Sequence, residues 1–197
     1  MRPVIVVLAI ILSIVSVPAG SYRPQAGDIV FQSLPHHELV DTIEGVSKST
    51  LSHCGIVVEK DGGWYVLEAL GKVGYAPLKK WTDRGRKRKY LVCRFKQTTQ
   101  IDRLKFIEAA KLYLDRNYDF HYAFKNEEIY CSELAFLAYK DVTGKNLGVV
   151  RKLGDMNWQP HEKFIRSMEN GELPLDREMI TPVDLSKADD LEVVFNK

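Results

Sequence analysis

Runs of β-branched and aromatic residues, bounded by polar and glycine-containing segments, mark the first half of the chain. Such residues favour the extended backbone of a sheet, so each run predicts a β-strand. The four runs are "GDIVFQS" (27–33), "HCGIVVEK" (53–60), "GWYVLEAL" (63–70) and "KYLVCRF" (89–95). Asp61-Gly62-Gly63, between the second run and the third, predicts a tight hairpin because these residues accept the backbone angles of a short β-turn.

A different spacing marks the second half, where apolar residues recur every three or four positions. The apolar positions 101, 104, 107, 110 and 114 predict a helix over 101–116. Further helices are predicted over 131–140 and 158–168, and "LEVVF" (191–195) predicts an edge strand. Strands followed by helices indicate an α+β fold in which an antiparallel sheet packs against helices.

Two segments between these elements are less regular. "HHELVDTIEGVSKSTLS" (36–52) predicts a short helix or a loop, and "WTDRGRKRK" (81–89) predicts a long charged connection. No internal repeat or low-complexity linker interrupts the chain, so residues 20–197 are predicted to form a single domain.

The N-terminus has the pattern of an export signal. An arginine precedes an apolar run over 4–17, which is too short for a comfortable membrane span. Residues 1–19 therefore predict a signal peptide that is cleaved after Ala19, and an uncleaved anchor is the alternative. The mature protein is expected to be periplasmic or extracellular, with no stable insertion in a membrane.

The overall composition limits the partners that the protein can be expected to bind. The chain has 197 residues, 45% hydrophobic and 27% charged, with a formal charge of +2, as in ordinary globular proteins. One local basic run, at 83–90, is weak support for nucleic-acid binding, so no nucleic-acid partner is predicted. His36 and His37 have no Cys or Asp partner at ligand spacing, so neither a metal site nor a cofactor is predicted.

The chain has three cysteines, an odd number that leaves at least one thiol unpaired in an oxidising compartment. Cys54 and Cys93 lie in strand-like runs, where a cysteine usually acts as a small buried hydrophobe. The sequence leaves undecided whether Cys54 and Cys93 form a disulfide. Cys131 differs because it opens a predicted helix in "EEIYCSEL" (127–134).

The position of Cys131 suggests a nucleophile. Unpaired amides and the positive end of the dipole surround the first turn of a helix, and both favour the reactive thiolate over the thiol. A buried structural cysteine is the alternative.

His53 and Glu68 are the predicted partners of this thiol. His53 opens its strand, so its side chain can reach beyond the sheet toward a helix terminus. A hairpin turn centred on Gly62 places Glu68 opposite residue 55 or 56, diagonal to His53. A carboxylate in an apolar strand needs a partner, and the imidazole supplies one. Cys131, His53 and Glu68 therefore predict a nucleophile, a base and an orienting acid, with His121 as a competing base.

Four segments together carry a resemblance to a known family: "GDIVFQS", "STLSHCGIVV", "WYVLEAL" and "YDFHYAF…EEIYCSEL". The chain resembles the circularly permuted NlpC-type papain-like cysteine hydrolases, specifically the YiiX/YebB-like group. In that group the histidine precedes the cysteine, as His53 and Glu68 precede Cys131 here. The resemblance covers residues 27–195 and implies a barrel-like sheet packed against helices, amide hydrolysis as the chemistry, and catalytic roles for the three residues.

The expected function is that of an exported cysteine hydrolase that cleaves an amide bond in a cell-wall or other small peptide. Tyr118, Asp119, Tyr122 and Tyr130 precede the nucleophile and are the candidate substrate-binding residues, with plain packing as the alternative. A lipid acyl hydrolase or acyltransferase with the same three residues is a second hypothesis. A non-catalytic extracellular binding domain is a third.

Overall fold

The computed structural model describes residues 22–124 and 126–197, so the predicted signal peptide lies outside the described residues. The strands are β1 (Ile29–Gln32), β2 (His53–Lys60), β3 (Gly63–Leu70), β4 (Lys72–Pro77), β5 (Tyr90–Phe95), β6 (Arg151–Lys152), β7 (Glu178–Met179) and β8 (Leu191–Asn196). The helices are α1 (Glu38–Ser47), α2 (Leu78–Arg84), α3 (Arg103–Lys111), α4 (Cys131–Thr143), α5 (Glu162–Met168) and α6 (Pro182–Ser186). Among the described residues, no helix is both long and apolar enough to cross a membrane.

Six strands form one antiparallel sheet in the order β4-β3-β2-β1-β5-β8, and β6 pairs with β7 in a separate two-stranded ribbon. The predicted hairpin joins β2 to β3. Its loop residues Asp61 and Gly62 both have positive φ, at 52° and 72°, which is the backbone of a type I′ turn. The α+β class, with an antiparallel sheet against helices, is confirmed.

The two faces of the sheet carry different layers. Ile29, Cys54 and Ile56 point to one face, where they share the main core with α3 and α4. The alternating residues Val57 and Val66 point to the other face, where Trp81 of α2 covers them. The end of the sheet where β2 starts therefore has helices on both sides.

Several predicted boundaries are wrong. Strand β4 precedes the connection expected over 81–89, and that connection contains most of α2. Neither β4 nor α2 was predicted. The helix expected over 101–116 occupies only 103–111, because the backbone of Asp115 and Arg116 bonds to Val73 of β4 instead. The helix expected over 158–168 begins as a short 3-10 turn and becomes α-helical at Glu162.

Candidate active site

The β2–β3 hairpin brings His53 and Glu68 together. Ile56 pairs with Leu67, so Glu68 falls opposite Gly55 and diagonal to His53, within the predicted register. The imidazole Nε2 donates to Oε2 of the Glu68 carboxylate over 2.5 Å, and both side chains are buried. Gly55 permits the close approach of β3, because a Cβ at this position would lie 2.4 Å from Val66 Cγ1.

Two residues of α2 also bind the same carboxylate. Trp81 Nε1 donates to Glu68 Oε2 over 2.9 Å, and Arg84 Nη2 donates to it over 2.5 Å. The Trp81 ring also packs beside the His53 imidazole, with 6.1 Å between the ring centroids. Neither residue was predicted from the sequence, because the segment over 81–89 has the composition of a charged connection. Their only signal was an aromatic residue inside a charged run.

Cys131 is the first residue of α4, as predicted. Its Sγ lies 3.9 Å from the carbonyl oxygen of Ser52, directly before His53, so the helix begins against the start of β2. Tyr130 is the N-cap residue of α4, and its side chain makes no capping hydrogen bond to the first-turn amides. Its hydroxyl instead accepts from the Ile180 N–H over 3.0 Å. The amides at the start of α4 are therefore available to an anionic group.

The thiol and the imidazole favour the charged form of each other. Hydrogen bonds from the Cys54 thiol and from His53 hold the pKa of Cys131 well below its usual value despite burial. Burial alone would lower the pKa of His53, but Cys131 and Glu68 outweigh it and raise the pKa to about 9. Although burial opposes it, the bonds from His53 and Arg84 lower the pKa of Glu68. The site therefore favours a thiolate, an imidazolium and a carboxylate in a row.

The other two cysteines, Cys54 and Cys93, lie at different distances from Cys131, His53 and Glu68. Cys54 faces the α4 side of the sheet in the same buried cluster as Cys131, and burial, together with the neighbouring Cys131, raises the pKa of the Cys54 thiol. Cys93 lies two strands away from Cys54, across β1, and its Sγ donates to the Ser186 carbonyl over 3.6 Å. All three cysteines lie within the described residues and none is bridged. A strand spacing of about 4.8 Å puts β2 and β5 about 10 Å apart, too far for a disulfide between Cys54 and Cys93.

The loop over 118–124 closes one side of the site. Tyr118 is buried beside Cys131, and its hydroxyl lies 3.1 Å from that of Tyr122. Burial and the neighbouring Tyr122 and Cys131 raise the pKa of Tyr118, so its hydroxyl keeps its proton and can donate. Tyr122 holds a positive φ of 54°, a backbone that is costly for a residue other than glycine.

Asp119 and Tyr130, two of the predicted substrate-binding residues, are both buried. The Asp119 carboxylate is fully buried and accepts from His121 N, Ala123 N and Asn126 Nδ2 at 2.7–3.0 Å. Tyr130 is 1% exposed and its hydroxyl is bonded to the Ile180 backbone. The Asp119 carboxylate therefore shapes the loop, and the Tyr130 phenol ties the start of α4 to the chain before α6.

An apolar pocket opens beside Cys131. Its walls come from α1, the loop over 120–122, α5 and the chain between β7 and α6. The apolar lining residues are Leu39, Ile43, Val46, Phe120, Tyr122, Leu153, Phe164, Ile165, Met168, Met179, Ile180 and Pro182. The pocket was not predicted, because its walls lie far apart in the sequence.

His121 also lines this pocket. Its imidazole pairs with Glu169, whereas a base would need to contact the Cys131 sulfur. Its Nδ1 lies 3.3 Å from Glu169 Oε2, and Arg177 binds the same carboxylate while also donating to the His121 carbonyl over 2.6 Å. His36 pairs with Asp41 over 2.7 Å, and His37 caps α1 by accepting from Leu39 N over 3.3 Å. These contacts account for the histidines other than His53 that the sequence put forward.

Comparison with known proteins places the chain in a family. A family model described as "Permuted papain-like amidase enzyme, YaeF/YiiX, C92 family" matches residues 23–195. The chain is 32% identical over 190 residues to the Escherichia coli K12 protein named "Uncharacterized protein YiiX", covering 95% of this chain and 94% of that protein. The crystal structure of YiiX from Escherichia coli O157:H7 matches with a TM-score of 0.83 and 30% identity, over 89% of this chain and 99% of that one.

The O157:H7 protein is described as a metalloprotein. Among residues 22–124 and 126–197 of the present chain, no three His, Cys, Asp or Glu side chains are grouped to hold a metal ion. The described residues therefore do not supply a metal centre with three such ligands.

The match spans almost the whole described chain, and the family description names a permuted papain-like amidase. The chain belongs to the YaeF/YiiX, C92 family of permuted papain-like amidases, and it is an amidase-type cysteine hydrolase.

Proposed function

We propose that the protein is an exported hydrolase that cleaves an amide bond in a cell-wall or other small peptide through an acyl-enzyme on Cys131. His53 is the proposed base and Glu68 the group that orients it. The observation that carries the proposal is the convergence of the three side chains at one end of the sheet, with the His53–Glu68 bond at 2.5 Å and the sulfur at the start of α4.

The first step is attack by the Cys131 thiolate on the carbonyl carbon of the scissile amide. His53 carries the proton taken from the thiol, and Glu68 holds the ring through Nε2, which leaves Nδ1 for proton transfer with the sulfur. As the carbonyl oxygen becomes negative, the free amides at the start of α4 can donate to it. The protonated Tyr118 hydroxyl beside the sulfur is a second available donor.

The second step releases the amine and then the acid. The His53 imidazolium gives its proton to the departing nitrogen, which leaves a thioester on Cys131. The neutral imidazole then takes a proton from water, and the resulting hydroxide attacks the thioester carbonyl. Breakdown of that adduct returns the thiolate and the imidazolium, so the cycle closes without an external group.

The pocket restricts the acyl part of the substrate. Its walls are almost entirely apolar and reach the sulfur, so an apolar side chain or acyl group fits beside the scissile carbonyl better than a charged one. A peptide substrate should therefore carry an apolar residue on the acyl side of the bond.

The same observation favours a second candidate, a lipid acyl hydrolase or acyltransferase. A long acyl chain would use the pocket, and an ester carbonyl would take the same nucleophile and oxyanion donors. The two functions differ in the leaving group and not in the catalytic residues.

The mature protein with Cys131→Ala, His53→Ala and Cys93→Ala variants tests the proposal. A panel of wall-type peptides, N-acyl peptides and phospholipids should give a product with the parent and with Cys93→Ala. Loss of Cys131 should abolish turnover, and loss of His53 should reduce it by roughly 10²–10⁴-fold. Full turnover by either variant would remove that residue from the mechanism, and the products would separate the peptide function from the lipid function.

Thiol labelling supplies a test that needs no substrate. Maleimide should react with Cys131 faster than with Cys54 or Cys93, and more slowly with Cys131 in His53→Ala. A pocket test uses N-octylmaleimide against N-methylmaleimide: Ile43→Asn should slow only the octyl reagent, whereas Leu104→Asn, on an exposed residue, should slow neither. Equal labelling of all three cysteines would contradict an activated nucleophile and favour a binding domain.

A further inference from the structure

A second sulfur lies beside the nucleophile, and the mechanism does not use it. Cys54 projects from β2 toward α4, and Cys131 begins α4 with its sulfur 3.9 Å from the Ser52 carbonyl, two residues before Cys54. Both residues belong to the same buried cluster between the sheet and α4, and the nearby Cys54 thiol lowers the pKa of Cys131. We propose that Cys54 and Cys131 form a reversible disulfide when the protein meets a hydroperoxide, and that this bond protects the nucleophile from irreversible oxidation.

The chemistry needs one oxidant and two thiols. The Cys131 thiolate attacks the O–O bond of the hydroperoxide, so that one oxygen becomes the sulfenic acid Cys131–SOH and the other leaves as alcohol or water after taking a proton. The Cys54 sulfur then attacks the sulfenic sulfur, and its proton leaves with the hydroxyl as water. Two electrons from the two thiols have then reduced one hydroperoxide, and the product is a Cys54–Cys131 disulfide.

Access and reactivity are unequal at the two sulfurs, as this order of steps requires. Cys131 lines the apolar pocket, so a small oxidant can reach it, while Cys54 is fully buried behind it. The low pKa of Cys131 makes its sulfur the first to react, and the raised pKa of Cys54 keeps that thiol reduced until a neighbour becomes electrophilic.

Cys93 supplies a control within the same chain. It is also buried, but it lies on β5, two strands from Cys54, and its thiol is bonded to the Ser186 carbonyl. Burial and the charge of Asp28 raise the pKa of Cys93 to about 12. A nonspecific oxidation would not distinguish Cys54 from Cys93, whereas the proposed capture depends on the position of Cys54.

The experiment maps the oxidised sulfurs by mass. The mature protein is treated with equimolar hydrogen peroxide, its free thiols are blocked with N-ethylmaleimide, and it is digested without reductant. A linked peptide pair containing Cys54 and Cys131 is expected, with Cys93 fully alkylated, and dithiothreitol should restore most of the Cys131 labelling. In Cys93→Ser the same pair should form.

The matched variant is Cys54→Ser. Without the capturing thiol, Cys131 should proceed to the sulfinic acid, which dithiothreitol does not reverse, so recovery of labelling should be lost. The proposal is overturned if the parent protein accumulates sulfinic acid on Cys131 while Cys54 stays reduced, or if recovery is the same in parent and variant. The mass readout on the parent requires neither turnover nor a folded variant, so its failure is distinct from a failure of the proposed function.

Discussion

At the scale of single residues, the charges of Cys131, His53 and Glu68 stabilise one another. A buried imidazole would normally lose its proton easily, yet the thiolate on one side and the carboxylate on the other keep it protonated to about pH 9. Removing either anion should therefore change the pH at which the imidazolium is lost.

The first prediction concerns the alkaline limb of the pH profile. In Glu68→Gln the imidazolium loses one of its two stabilising anions, so the fall of kcat/KM above about pH 9 should move to lower pH by roughly 1–3 units. Turnover should fall less than in His53→Ala, since the amide can still orient the ring. The profile of kcat/KM against pH is the measurement. Glu59→Gln, on an exposed carboxylate of the same hairpin, is the control, and an unmoved limb would assign Glu68 to structure alone.

Glu133, two residues after the nucleophile, provides a second prediction that concerns stability. Burial is the main cause of a rise in its pKa from 4.5 to about 8, which the bond from the Tyr130 N–H only partly offsets. The folded state therefore binds this proton more tightly than the unfolded state. Its stabilising contribution is fully present below about pH 4.5 and is lost as the pH rises through about 8.

The variant that tests this is Glu133→Gln, which keeps an acceptor for the Tyr130 N–H and cannot ionise. Its free energy of unfolding, measured by urea denaturation between about pH 5 and about pH 9, should decline less with pH than that of the parent. Glu108→Gln, on the exposed side of α3, should decline as the parent does. Parallel declines for all three proteins would show that Glu133 titrates normally.

At the scale of elements, the parts that sequence predicted are those whose local pattern and tertiary packing agree. The β2–β3 hairpin has a turn sequence and alternating strands, so its register, and with it the pairing of Glu68 with His53, could be counted in advance. The start of α4 at Cys131 could also be predicted, because an apolar helical stripe follows it.

The elements that sequence missed depend on contacts that no local pattern reports. The short helix α2 has no side-chain cap at Pro77 and owes its place to the buried Trp81, so its residues appeared to be a charged connection. The predicted helix over 101–116 ends early because the edge of β4 competes for the backbone of Asp115. For the same reason Trp81 and Arg84, which hold the Glu68 carboxylate, could not be found from sequence alone.

The hairpin makes a third prediction at this scale. Gly55→Ala places a methyl group 2.4 Å from Val66 Cγ1 and 3.1 Å from Glu68 Cβ, so β3 must shift away from β2. Stability should fall by about 1–3 kcal/mol, as for other overpacked sites, and turnover should fall because the carboxylate moves. Thermal unfolding and kcat/KM are the measurements. Gly74→Ala, across β3 from the same residues and with open space at its Cβ, should change neither.

At the scale of the whole molecule, the pocket is assembled from regions that are distant in the chain, and one arginine joins two of them. Arg177 precedes β7, donates to the His121 carbonyl of the loop over 118–124, and pairs with Glu169 just after α5. All three residues line the pocket that reaches Cys131. The loop that carries Tyr118 is therefore held against the far wall of the pocket by a partly buried ion pair rather than by a continuous element.

Arg177→Met should loosen this connection without touching the reacting groups. Loss of charged hydrogen bonds worth about 1.5–3 kcal/mol each leaves the walls free to separate, so KM for an apolar substrate should rise by roughly tenfold or more while kcat falls less. Lys152→Met removes an exposed ion pair with Asp176 beside the same ribbon and should leave both constants unchanged. A collapse of kcat at constant KM would instead mean that the loop positions Tyr118 for the chemical step. In that case the wall that binds substrate and the wall that supports the oxyanion would be one structural unit.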